Sequence, residues 1–399
     1  MHKIVVVILS LICVSLAHAA GDTEVRAVWL TTNSGLDWPG KVLSESGQKK
    51  LMIDMLDRLK SANFNLVIFQ VQANGDVLWK SSLQPAMEAV TGNASSGLSY
   101  DVCKFVIDEC HKRDMECHAW IVPFRLGSKK FASHYASNAV KHPLKSQHKL
   151  CVNYKGTYYF DPGNSDTRKF LIKLYRELVE NYDFDGINLD YTRYPGKDFP
   201  DNHTYAKRKD KKMSRDDWRR ENINVFVEEL YKMAKSVKPD MLVGSAPIGT
   251  YKNVENYRNA TAYDSFQQDP GKWISDGCHD LVIPQMYWDE KAGFSTHLKT
   301  WKEIAVPSCH LVVGLAPYKM VESGWDVDQV LSQIEKVRKA DGAEGVCFFR
   351  AEHVLGKNAK SKALYNRLKS DIFKSPAKLP WRVAFAKEES VEPVNPFLE

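Results

Sequence analysis

Asp183-Phe184-Asp185-Gly186-Ile187-Asn188-Leu189-Asp190-Tyr191-Thr192-Arg193-Tyr194-Pro195 is the stretch on which the fold reading turns. Gly186–Tyr194 reads as a strand. Successive side chains of a strand point to opposite faces, so Ile187 and Leu189 share one face, and Asn188 and Asp190 share the other. Asp183 and Asp185 precede the strand and belong at its bottom end. A carboxylate inside such a run is costly unless it is paired or used. Asp190 is therefore a structural partner for Arg193 or a working group.

Seven further runs resemble this one: Arg26–Thr32, Leu66–Gln72, Cys117–Phe124, Leu242–Ile248, Leu281–Trp288, Leu311–Pro317 and Gly345–Glu352. They are short, β-branched and nearly continuously apolar, as strands buried on both faces of a parallel sheet must be. Amphipathic segments lie between them at Gln48–Ala62, Tyr100–Arg113, Asp166–Asn181, Ser214–Val237, Asp326–Ala340 and Lys360–Phe373. Ser214 and Asp217 have capping-box spacing at the start of the longest. Strand–helix alternation over eight strands predicts an α/β protein, a closed (β/α)8 TIM barrel with extended loops. An open doubly wound sheet is the competing architecture, but no glycine-rich phosphate fingerprint follows the first strand.

The ends read differently. His2-Lys3, the apolar run Ile4–Ala17 and the exit Ala17-His18-Ala19 predict a secretory signal over residues 1–19. The run is too short for a permanent membrane span, so no stable membrane anchor is expected. Residues 20–373 are assigned to the barrel. Residues 374–399, with Pro376, Pro380, Pro393 and Pro396, are read as an extended or disordered tail. Of 8 cysteines, Cys13 lies in the signal, and the other seven match no zinc-ligand spacing. Formal net charge is +6, with one cluster at Lys207-Arg208-Lys209-Asp210-Lys211-Lys212, read as a solvated loop or a contact to an anionic polymer. No basic stripe with interleaved aromatics suggests nucleic acid. A G-x-S-x-G elbow and paired-histidine zinc spacing are both absent, and no metal or organic cofactor is implied.

Active sites of this barrel class sit at the carboxyl ends of the strands. There the sequence offers Gln70 and Asp76 after strand two, and Trp120 on strand three. Strand four supplies Asp190, Arg193 and Tyr194. Strand six adds Gln285 and Tyr287, in phase for sugar hydroxyls, and Trp288, suited to stacking on a pyranose. Tyr287 and Trp288 also suit barrel packing. His118 and Arg26 lie near strand starts and read as a satisfied core histidine and a bottom-face ion pair. Most glycoside hydrolysis needs two carboxyl groups flanking the bond, one protonated and one ionised. Asp190 is one by strand geometry. Asp269, Glu290 and Glu352 compete for the second role, with Asp289 behind them. Asp269 precedes Pro270 and suits a helix cap equally well.

At these residues the chain resembles the bacterial glycosyl-hydrolase-like family 10, whose members include enzymes acting on peptidoglycan glycan strands. The matching stretches are Arg26-Ala27-Val28-Trp29, Leu36-Asp37-Trp38-Pro39, Asn65–Gln70, Gly75-Asp76, His118-Ala119-Trp120, Asp161-Pro162-Gly163, Asp185–Asp190, Tyr194-Pro195, Trp218-Arg219-Arg220 with Asn222, and Pro284–Trp288. They fall in order over most of the chain. The resemblance implies a (β/α)8 barrel and glycosidase activity. It places Asp190 at the family's acidic position on strand four and aligns Asp269 with a family aspartate before strand six. Many members carry Asp-Asp-Tyr where this chain has Asp190-Tyr191. The expected function is a secreted, periplasmic or extracellular hydrolase of a cell-wall or matrix polysaccharide. A non-catalytic glycan-binding barrel and a glycan transferase are its rivals.

Overall fold

The structure, a computed structural model, describes residues 23–383 except 139, 140, 255 and 306. The expected signal at residues 1–19 and the tail beyond residue 383 lie outside the described residues. Eight parallel staves form the barrel: β1 Val25–Leu30, β2 Leu66–Gln70, β3 Glu116–Ile121, β4 Gly186–Leu189, β5 Leu242–Ser245, β6 Leu281–Val282, β7 His310–Leu311 resumed as Val313–Leu315, and β8 Gly345–Phe349. Each falls within one residue of the start of its expected run.

β1 lies between β2 and β8, and pairing continues through β3, β4, β5 and β6. β7 closes the ring. His310 pairs with Leu281 of β6, while Val313 pairs with Val346 of β8. Beyond β6, Gly314 N–H donates to Pro284 O at 3.0 Å.

The period of two decides what each strand buries. On β1, Val25, Ala27 and Trp29 join Ile68, Trp120, Ile283 and Cys347 in one interior cluster. Val28 and Leu30 face outward into the larger cluster under the helices. Gly345 shows why β8 must start on glycine. Its φ is +149° and a Cβ there would lie 2.0 Å from Val25 O.

The outer helices include Glu45–Ser61, Val102–His111, Ser165–Asn181, Arg215–Val237, Pro270–Ser275, Phe294–Ala305, Val327–Lys339 and Ala359–Arg367. Ser214 caps the long helix as expected, accepting from Asp217 N–H at 3.1 Å. An antiparallel sheet of Arg125–Ser128, Thr157–Phe160 and Cys151–Tyr154 is inserted after β3. The sequence reading did not anticipate it.

The bottom of the barrel is closed by residues read as tail. Lys378 bridges to Thr23, and Leu379 and Trp381 enter the interior cluster. Trp381 Nε1 donates to both Glu116 oxygens at 3.0 Å, and Arg382 donates to Asp185 at 2.7 Å. Over these residues the extended end gives way to a packed plug, because two large apolar side chains and an arginine find partners there. His118 is fully buried with Nε2 3.1 Å from Glu116 Oε2. Arg26 pairs with Glu24 at 2.8 Å. Arg26 makes the bottom-face ion pair expected of it, and His118 is buried at the barrel floor as expected, but its Nδ1 has no hydrogen-bond partner among the described residues. The seven described cysteines are free, Cys103 and Cys110 being buried. The basic loop around Lys207–Lys212 is largely exposed. Among the described residues no helix is long and apolar enough to cross a membrane.

Candidate active site

Asp190 follows the last residue of β4, and its backbone N–H still bonds Ile121 O of β3 at 3.0 Å. Its side chain is therefore delivered to the carboxyl end of the barrel. The residue is 3% exposed. Oδ2 accepts from Trp120 Nε1 at 3.1 Å, and Oδ1 accepts from Gln285 Nε2 at 3.0 Å and from Tyr191 N–H at 2.7 Å. Gln285 is held in turn by Ala246 O at 2.9 Å. Burial pushes the Asp190 carboxyl above its ordinary range, opposed by the charge of Arg193 and these three donors. A carboxyl balanced between a desolvating wall and convergent donors suits acid–base or nucleophilic work.

Aromatic rings pack around Trp120, the Asp190 donor. Phe349 sits 6.2 Å from Trp120, 6.0 Å from Trp29 and 5.6 Å from Tyr287. Tyr318 adjoins both Tyr287 and Phe349, at 6.0 and 6.1 Å. Tyr191 turns the chain with φ +49° and is 49% exposed. The guanidinium of Arg193 lies 4.3 Å from the Tyr191 ring centre and 5.5 Å from that of Phe266.

The other expected site residues divide. Gln70 clamps the loop after β1: its Oε1 accepts from Thr31 Oγ1 at 2.5 Å, Asn33 N at 2.9 Å and Thr32 N at 3.1 Å. Asn33 accepts from Asn74 at 2.8 Å, and Asn74 accepts from Arg125, so a polar arc links the loops after β1 and β2 to the inserted sheet. Asp76 is buried below this arc, accepting from Asn74 N–H at 3.1 Å, and burial pushes its carboxyl up to about 6. Tyr194 is fully buried, packed against Phe199 and under Arg219, and supports the loop from beneath. Trp288 packs on His297 at 5.3 Å and contributes to the outer core.

Among the acids, Asp269 caps Pro270–Ser275. Its Oδ1 accepts from Lys272 N–H at 3.2 Å and from the Tyr251 hydroxyl at 2.6 Å. Glu352 stands at the β8 rim with a side chain 52% exposed, bonded to Arg350 at 2.5 Å. Glu290 is tied to Lys336 and Ser295, and Asp289 caps a short helix. The structure thus gathers Asp190, Trp120, Gln285, Tyr287 and Arg193 and puts Asp269 and Glu352 to other bonds.

Sequence reasoning missed Asp37. Its side chain is fully buried, bonded by Arg350, Thr31 N–H and Glu352 N–H. Burial, against the pull of Arg350, pushes it up to about 6. It lies in a loop without periodicity, and its one sequence signal was the Leu36–Pro39 motif. No three His, Cys, Asp or Glu side chains among the described residues are placed to hold a metal ion.

Comparison with known proteins places the chain in a family. The family model described as Glycosyl hydrolase-like 10 matches residues 24–333. Glycosyl hydrolase YngK of Bacillus subtilis is 31% identical over 392 residues, covering 92% of this chain and 76% of that protein. Glycosyl hydrolase DigH of Escherichia coli K12 is 30% identical over 366 residues, covering 83% of each. In fold, the chain resembles the PgaB (BpsB) glycoside hydrolase domain from Bordetella bronchiseptica, with a TM-score of 0.60 at 12% identity, over 86% of this chain and 99% of that one. With a family model spanning most of its length and two relatives bearing the same activity in their names, the chain belongs to the glycosyl hydrolase-like 10 family and is a glycoside hydrolase.

Proposed function

We propose that this glycoside hydrolase is exported and cuts a bacterial cell-wall or matrix polysaccharide, peptidoglycan glycan strands first among them, with Asp190 as one of two working carboxyl groups. The observation that carries the reading is the buried Asp190 carboxyl at the carboxyl end of the barrel, with donors on both oxygens and aromatic rings packed beside its Trp120 donor. Preorganised donors around a reacting carboxyl hold its orientation, and flat rings offer stacking surface to sugar faces. Trp120, Tyr287, Gln285 and Arg193 line the sugar next to Asp190 in this reading. Asp269 and Glu352 are the candidates for the second carboxyl group. Export rests on the leader-like residues 1–19.

The test is digestion of purified, peptide-free glycan strands followed by mass analysis of the products. Wild type yields shortened strands. Asp190→Asn binds them but cleaves none. An unchanged product profile from Asp190→Asn removes this carboxyl from the chemistry. Binding by wild type with no cleavage would leave a glycan-binding barrel in place of an enzyme.

A further inference from the structure

We propose that Arg193 and Arg125 form a binding site for a carboxylate carried by the glycan, beside the sugar that meets Asp190. The inference rests on the hydrolase reading above and names what that site selects.

Three buried or partly buried arginines that brace the fold are each matched by an acid. Arg219 holds Asp201 at 2.7 Å, Arg113 holds Glu109 at 2.7 Å, and Arg350 holds Asp37. Arg193 and Arg125 differ. Neither makes an ion pair among the described residues. Arg125 donates to the neutral Asn74 side chain. Arg193 is gripped between the Tyr191 and Phe266 rings, with its Nη1 buried and without an acceptor. An unused donor on a held guanidinium costs free energy until an acceptor arrives. The planar fork suits a carboxylate.

The two cations are connected through Tyr191 and the rings beneath it. Arg193 follows Asp190 by three residues, its N–H bonded to Tyr191 O at 2.9 Å. Arg125 stands opposite Tyr159 in the inserted sheet, on the side that packs through Phe199 against Tyr194. The electrostatics of Tyr191 connect them. Asp190 is the largest influence raising its hydroxyl, and Arg193 and Arg125 both oppose it. Asp190 already has three donors of its own. The charge of Arg193 acts on Asp190 without a direct bond to it, so both arginines keep their forks free of an ion pair beside the sugar site, which selects an anionic glycan over a neutral one.

The experiment uses peptide-free wall glycan strands with free lactyl carboxylates, and the same strands with those carboxylates reduced to alcohols. Wild type is expected to favour the carboxylated strands by about tenfold or more in kcat/KM, through KM. Arg125→Gln and Arg193→Gln should each bring the ratio between the two substrates towards one, and Arg193→Lys should restore part of it. Equal use of both strands by wild type overturns the proposal, as does an equal loss on both strands in the variants. Titrating Asp190→Asn with the two strands reads the same preference as affinity. Absence of cleavage therefore counts against the hydrolase reading, and absence of preference counts against this one.

Discussion

Trp120→Phe isolates one of the bonds that set the state of Asp190. The indole Nε1 is 3.1 Å from Oδ2 of a carboxyl that is 3% exposed. Phenylalanine keeps an aromatic ring against Phe349, 6.2 Å away in the native packing, and deletes the donor. A hydrogen bond to a charged group contributes roughly 1.5–3 kcal/mol. At about 1.4 kcal/mol per pKa unit, its loss moves Asp190 by about one to two units. The sign follows from which form the bond favours. The donor stabilises the carboxylate, and burial already raises the pKa, so removing the donor raises it further. The assay is kcat/KM against pH on glycan strands. If Asp190 works as a carboxylate, the acidic limb moves to higher pH, and the rate below that limb falls roughly 10- to 100-fold. If it works as the acid, the alkaline limb moves up instead. The limb that shifts thus assigns the role. A folded variant whose profile superimposes on wild type in both limbs would refute the claim that Asp190 titrates in the reaction.

Three other outcomes follow from burial. Trp288→Ala should cost about 3 kcal/mol or more in denaturant unfolding, because the ring packs on His297 and the outer core; a fully stable variant with weakened glycan affinity would show the ring to be a sugar platform instead. Arg219→Met should destabilise by about 3–5 kcal/mol by leaving Asp201 buried without its bidentate partner, and a thermal midpoint equal to wild type would contradict this. Asp76 has its folded pKa raised to about 6, so the native state binds the extra proton between its ordinary value near 4 and about 6, and stability from this group is lost as pH rises through that window. Asp76→Asn, which keeps an acceptor for Asn74 N–H, should remove a pH dependence of up to about 3 kcal/mol at 1.4 per unit; parallel stability–pH curves for wild type and variant would argue against it.

The barrel was legible because one physical rule runs the length of each strand. Alternation puts Trp29 inside and Val28 outside, and the same rule carries Trp120 and Asp190 to the interior mouth. It fails where strands end. After Leu189 the chain turns through Tyr191 at φ +49°, so Tyr194 goes into the loop's own core and not towards solvent. β6 was expected to run to Trp288, but Pro284 has no N–H to offer and the regular strand is Leu281–Val282. Asp37 and the Arg350 that holds it could not be paired from sequence, since 313 residues separate them and Asp37 lies outside every periodic segment. The plug formed by Leu379 and Trp381 was hidden by its prolines, which suggest an extended tail when composition is read without the barrel floor that these side chains fill.

The second carboxyl is the decision that remains, and the bonds already made by the two candidates say how to take it. Asp269 and Glu352 both have one oxygen engaged, but by different chemistry. Asp269 Oδ1 receives a helix N–H and a tyrosine hydroxyl, interactions that any carbonyl oxygen accepts. Asparagine is as good an N-cap as aspartate, so Asp269→Asn should keep the helix, the Tyr251 bond and the fold, and lose only the proton chemistry. Glu352 is held by a guanidinium whose other arm is bound to buried Asp37. Glu352→Gln therefore removes charge from a three-member network and should shift the environment of Asp37 as well. The clean substitution is the one at Asp269. A drop of about 100-fold or more in kcat with an unchanged melting midpoint would make it the partner of Asp190, within the range that acid–base groups contribute. Near-wild-type kcat from a folded Asp269→Asn enzyme would assign it to the cap alone and turn attention to the β8 rim.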